Sequence, residues 1–145
     1  MKDSIHAAQE RSPIDVRLRM SALWVATMLV FLCVDLFSLY RADVRQGLND
    51  GRVSVFDVGQ PFLLGITVYV IVPSVMVYLS LVLPRRINRV VSILLASVYA
   101  ITIAGSAVGE WAYFVLGSLV EVSLLVVLIY HSWTWRPSAA SSASA

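Results

Sequence analysis

The stretch 113-YFVLGSLVEVSLLVVLIYHSWTW-135 decides the fold. Its 23 residues contain one carboxylate, Glu121, and a histidine near the end. About 20 predominantly apolar residues cross a bilayer as a helix. The run does not alternate with the period of two that a half-buried strand requires. In hydrocarbon the backbone must satisfy its own hydrogen bonds, which leaves the helix as the open solution. Three further stretches read the same way: about Leu18–Tyr40, Phe62–Leu83 and Val90–Val108.

Composition agrees. Hydrophobic residues make up 59% of the 145-residue chain and charged residues only 14%. A small soluble globule cannot hide that much apolar surface, because too much of its chain stays wet. The expected fold is all-α: a four-helix transmembrane bundle spanning 18–136, preceded by a segment 1–17 and followed by a low-complexity, disordered tail at 137–145.

Arginine and lysine counts set the orientation. With four spans, Lys2, Arg11, Arg17, Arg19, Arg85, Arg86, Arg89 and Arg136 fall on one side. Arg41, Arg45 and Arg52 fall on the other, with Asp43, Asp50, Asp57 and Glu110. Both termini are therefore expected in the cytoplasm. The basic clusters would attract anionic lipid at about 1 kcal/mol per residue, although sidedness alone accounts for them. The polar start and long first span do not suit a cleavable signal peptide.

Local signals mark the ends. Ser12-Pro13-Ile14-Asp15 reads as a helix cap, so the first helix is expected to begin near Pro13. Asn49-Asp50-Gly51 signals a turn, and Ser54-Val55-Phe56-Asp57 suits the cap of a short interfacial helix. Pro61 should open the second helix, Pro84 should end it, and Asn88 should cap the third. Helices 2 and 4 also share a faint pattern at an offset of 52 residues, in which Phe62 and Gly65 align with Phe114 and Gly117.

Two carboxylates lie within spans. Asp35 is roughly 9 Å and Glu121 roughly 13 Å from the outer ends, at 1.5 Å per residue, which puts them at similar height. Lipid exposure of either is costly, so each should face the interior or a watery cleft. Ser38 lies one turn from Asp35, and Gly117 and Ser118 one turn from Glu121. Two close carboxylates cannot both ionise cheaply, so one would hold a proton that a cationic ligand could replace. Alternatively, serine, tyrosine or backbone groups hold each acid, and the acids only fix helix packing.

Pro73 breaks the second helix and strips the carbonyl of Tyr69 of its amide partner. A packing kink is the expected result, and an acceptor offered to the interior is the other. Ser92, Ala96, Ala100 and Ala104, with Gly105–Gly109 beside them, make the third helix a close-packing ridge for this chain, a second copy or another membrane protein. Cys33 is read as a small buried hydrophobe. His131 lies some 15 Å from Glu121 along the helix, beside the interfacial Trp133 and Trp135. No metal-ligand cluster, phosphate-cradling loop or supported catalytic triad is present. The expectation is a non-enzyme without cofactor, metal or nucleic-acid partner, whose environment is the lipid bilayer.

The segments 60-QPFLLG-65, 73-PSVMVYLS-80, 83-LPRRINR-89 and 133-WTWR-136 carry a resemblance, together with Cys33, Asp35 and Glu121. They resemble a small bacterial family of four-helix membrane proteins of unknown function, over most of 18–136. The resemblance implies four helices, no known cofactor and no assigned catalytic residue. Two roles follow. The first is an accessory or helix-assembly component of the bacterial inner membrane. The second is a small oligomeric proton-linked transporter that exchanges a proton at Glu121 for a cationic or polar solute.

Overall fold

The computed structural model describes residues 15–54 and 56–135. Five helices carry the fold: α1 (Val16–Ser38), α2 (Ala42–Asn49), α3 (Gln60–Val82), α4 (Arg85–Ser106) and α5 (Ala112–Thr134). All but α2 are long and apolar enough to span a membrane. At 1.5 Å per residue each is about 33–35 Å long, enough to cross a hydrocarbon layer of about 30 Å. The chain is a membrane protein by this measure, with the four spans anticipated above.

Side chains are distributed inside out. Leu29, Leu32, Leu64, Leu94, Ile101, Leu116 and Leu119 are exposed, whereas Ser80, Asn88, Ser92, Ser118, Glu121 and Ser132 are buried. Lipid accepts the leucines, and the interior gathers the groups that need partners. The buried positions of α5 are Ser118, Glu121, Leu125, Leu128 and Ser132. Their alternating three- and four-residue spacing forms a straight seam against its neighbours. Trp24, Met76, Ala96, Tyr99, Ile103, Leu125 and Leu128 form the apolar core.

Helix α5 packs along both α1 and α4, and α1 also packs along α3, while α3 and α4 touch only sparsely. The seam between α3 and α4 is therefore the open one. From 60 to 68 only Phe62 escapes full exposure, and α3 closes onto its neighbours from Tyr69 onward.

Two prolines organise the α3–α4 contact. Pro73 leaves the carbonyl of Tyr69 without its helical amide, and Pro84 does the same to Ser80. Each freed carbonyl receives a donor from α4: the Tyr99 hydroxyl reaches Tyr69 O at 2.5 Å, and Asn88 Nδ2 reaches Ser80 O at 2.8 Å. Ser92 Oγ in turn donates to Asn88 Oδ1 at 3.1 Å. The freed carbonyl of Tyr69 is thus an acceptor to the interior, beyond the plain kink expected.

Several local expectations are corrected. The cap of α1 is Asp15, whose side chain accepts from the Arg17 amide at 3.0 Å; Ser12 and Pro13 lie outside the described residues, as does the tail 137–145. Asn88 does not cap α4, which starts at Arg85 behind Pro84. Asn88 is instead the fully buried donor just described. The short helix lies at 42–49 and not after Ser54. The later stretch forms a small antiparallel ladder of β1 (Arg52–Val53) and β2 (Phe56–Asp57), and Ser54 has φ +52°. Cys33 is exposed, on the outward side of α1. Pro61 does sit in the first turn of α3.

Candidate functional site

A cleft of about 750 Å³ opens at the loop end of the bundle, where α3 stands away from α1 and α4. Asp35 and Ser38 of α1, Phe62 of α3, Gly105 and Ser106 of α4 and Phe114 of α5 line it. Asp35 is exposed, and it faces this cleft as the sequence led one to expect. Among the described residues it accepts no hydrogen bond.

Glu121 lies deeper. The Ser38 and Tyr113 hydroxyls meet at 3.1 Å and fix the register of the antiparallel α1 and α5. A second contact confirms it, because a Cβ on Gly117 would collide with Val34 Cγ2. Asp35 is three residues inward from Ser38 and Glu121 eight inward from Tyr113. The two acids are therefore offset by about 7.5 Å along the axis, not level as their distances from the span ends implied. They remain within Coulombic reach of one another and of the Tyr69 hydroxyl.

Glu121 is only 2% exposed, and among the described residues no group donates to its carboxylate. Ser118, one turn away, is buried on the same face and makes no hydrogen bond to it. Ser38 is engaged elsewhere, bonding Val34 O at 3.1 Å as well as Tyr113. The serines expected to serve the acids thus stand near them without holding them.

Glu121 occupies the middle of α5, at the depth of an aromatic layer. Tyr69 and Tyr99 lie 4.5 Å apart between ring centroids, with Phe31 at 5.8 Å from Tyr69 and Trp24 at 6.3 Å from Tyr99. Tyr69 OH also pairs with Thr102 Oγ1 at 2.9 Å. This layer separates the loop-end cleft from the terminal half of the bundle. Within it, a void of about 10 Å³ adjoins Trp24, whose buried indole N–H has no partner among the described residues.

The mouth of the cleft is held by Arg41, which sequence reasoning passed over. Its guanidinium bonds Glu110 at 2.5 Å and Asp43 at 2.6 Å and lies 4.7 Å from the centre of the Trp111 ring. Hydrogen bonds to Asp43 first, and to Glu110, hold Arg41 charged above its ordinary value. The Arg41 guanidinium likewise holds the Asp43 carboxyl below the usual carboxylate range. One signal was present in the sequence: Glu110 is the sole acid between the third and fourth spans, opposite an arginine that directly follows the first.

The ridge on α4 divides. Ser92 and Ala96 are buried in the core, whereas Ala104 is exposed and a Cβ on Gly105 would meet open space. Four-residue steps drift about 40° each around a helix of 3.6 residues per turn. The buried face instead follows 88, 92, 96, 99 and 103. Pro73 is buried at the foot of the aromatic layer. Among the described residues no three His, Cys, Asp or Glu side chains cluster as metal ligands would.

The chain belongs to a family of unknown function (DUF6326). Residues 14–142 carry the match, taking in every helix described above. No curated protein and no solved structure matches the chain. The family thus covers the cleft, Asp35, Glu121 and both proline clamps.

Proposed function

We propose that this membrane protein binds a proton and a small organic cation in exchange at the Asp35–Glu121 pair, as the substrate step of a proton-linked transporter. One observation carries the reading: Glu121, only 2% exposed, has no protein donor among the described residues, and it lies deeper in the bundle than a cleft whose wall carries a second acid. A buried carboxylate without donors must be neutralised by a proton or a cation. Asp35 at the cleft wall would attract the cation, Glu121 would lose its proton to water as the cation takes its place, and the aromatic layer at that depth offers ring faces to an organic cation.

An assembly role predicts acids clasped by serine, tyrosine or backbone groups, and among the described residues Glu121 has none of these partners. The α4 ridge, which favoured an assembly role, is half occupied within the chain itself. Catalysis is not part of the proposal. The bacterial inner membrane, with termini in the cytoplasm, is the setting it assumes, and more than one copy would provide room for a path.

The test is tetraphenylphosphonium binding to the protein in phosphatidylcholine nanodiscs, from mildly acidic to mildly alkaline pH. Binding is expected to tighten as pH rises and to release a proton into weakly buffered solution. Glu121→Gln should abolish the proton release, and Asp35→Asn should weaken binding while retaining it. Absent binding, or binding indifferent to both pH and Glu121→Gln, would overturn the reading in favour of assembly.

A further inference from the structure

The two ends of the bundle treat their arginines differently. All three ion pairs among the described residues lie at the loop end: Arg41–Asp43, Arg41–Glu110 and Arg52–Asp57. At the terminal end stand Arg17, Arg19, Arg85, Arg86 and Arg89, and among the described residues none is paired with a carboxylate. The acid there among the described residues is Asp15, whose side chain caps α1. No acidic residue lies in the first turn of α4, where three of these arginines sit at or near a positive helix end.

What the arginines touch instead is informative. Arg17 donates to Leu81 O at 2.9 Å and Arg85 to Trp135 O, each reaching a carbonyl at the end of a neighbouring helix. Both guanidinium groups also lie 5.8 Å from the centre of the Trp135 ring. Arg89 lies 4.9 Å over Trp133, which is 66% exposed. Arg19 and Arg86 are exposed. Tryptophan at a helix end marks the headgroup level of a membrane. Thus α1 and α4 present planar, multiply donating cations at the depth of lipid phosphates, beside the tryptophans at the end of α5.

We infer that the rim formed by Arg86, Arg89 and Trp133 is a binding surface for anionic phospholipid headgroups. Guanidinium groups whose donors are not taken by carboxylates bind a phosphodiester bidentately. The Trp133 indole beside Arg89 gives that guanidinium an aromatic neighbour in place of a carboxylate. This surface is independent of the cleft at the other end. Sidedness alone would require arginines here, but it does not require them to stack on tryptophan or to stand, among the described residues, without carboxylate partners.

The experiment is lipid retention by native mass spectrometry, on the full chain taken from nanodiscs of phosphatidylcholine mixed with phosphatidylglycerol. The wild type is expected to retain phosphatidylglycerol preferentially. The double variant Arg86→Gln/Arg89→Gln should lower that preference roughly tenfold or more. Arg45→Gln/Arg52→Gln, at the loop end, should leave it unchanged, with helicity measured for both variants. Three results would overturn the inference: no preference in the wild type, an equal fall in both variants, or full competition by inorganic phosphate, which would mark a site for soluble anions.

Discussion

Helices α3 and α5 run in the same direction, have the same length and share a Phe–x–x–Gly start, yet they meet opposite fates. Gly117 of α5 is pressed against Val34, whereas a Cβ on Gly65 of α3 would meet nothing within 4 Å. Buried side chains line α5 from Ser118 to Ser132, whereas on α3 they begin only at Pro73. Composition made both helices apolar, but the partner across the seam decided which became the keel of the bundle. Because α3 stays away at the loop end, the cleft exists, and because α5 stays in, Glu121 is buried beneath it.

The sharpest way to break this contrast is to fill each glycine. Gly117→Val should destabilise the protein by about 1–3 kcal/mol through overpacking against Val34, read as a fall in thermal midpoint in detergent. Gly65→Val should leave the midpoint unchanged. Gly117→Ala combined with Val34→Ala should recover most of the loss of Gly117→Ala alone, because the two positions share one contact.

The α3–α4 seam is tested next. Tyr99→Phe removes the donor to Tyr69 O, and Asn88→Ala removes the donor to Ser80 O. Each should cost about 1 kcal/mol, the scale of hydrogen bonds between membrane helices. The two losses should add, since the clamps stand about 16 Å apart along α4. Hydrogen exchange should accelerate on α3 and stay unchanged on α5. Equal acceleration on both helices would mean that α3 is not the loosely held element.

The smallest effect concerns the mouth of the cleft. Arg41 holds the Asp43 carboxyl below its ordinary value of 3.8, so the folded protein binds that proton less readily than the unfolded chain. This contribution is complete above the ordinary value and is lost as pH falls through the folded one. Asp43→Asn should lower the thermal midpoint slightly at neutral pH. The difference should vanish in strong acid.

Much of this was legible in the sequence, and the gaps follow a pattern. The spans and the roles of Pro61 and Pro84 were readable because length, hydropathy and a missing amide are local properties. The carbonyl stripped by Pro73 was readable for the same reason. Its donor, Tyr99, was not, because nothing in a sequence says which helix face meets which. Asn88 looked like a cap because it stands near a helix start, and only the position of Ser80 reveals its task. Cys33 looked interior because apolar character marks the inside in water but not in lipid. The acids were placed level by counting from span ends, whereas the Ser38–Tyr113 contact that sets their offset joins residues 75 apart.

The two proline clamps bear on how the protein is made. As α3 leaves the ribosome it carries two carbonyls that no amide within it can satisfy, and α4 supplies their donors only later, from residues 88 and 99. Two residues, Leu83 and Pro84, join the helices. Tyr69 and Ser80 are 11 residues apart, as are Asn88 and Tyr99, so a single antiparallel register closes both clamps at once. The α3–α4 hairpin is therefore the smallest segment of the chain in which both freed carbonyls meet their protein donors.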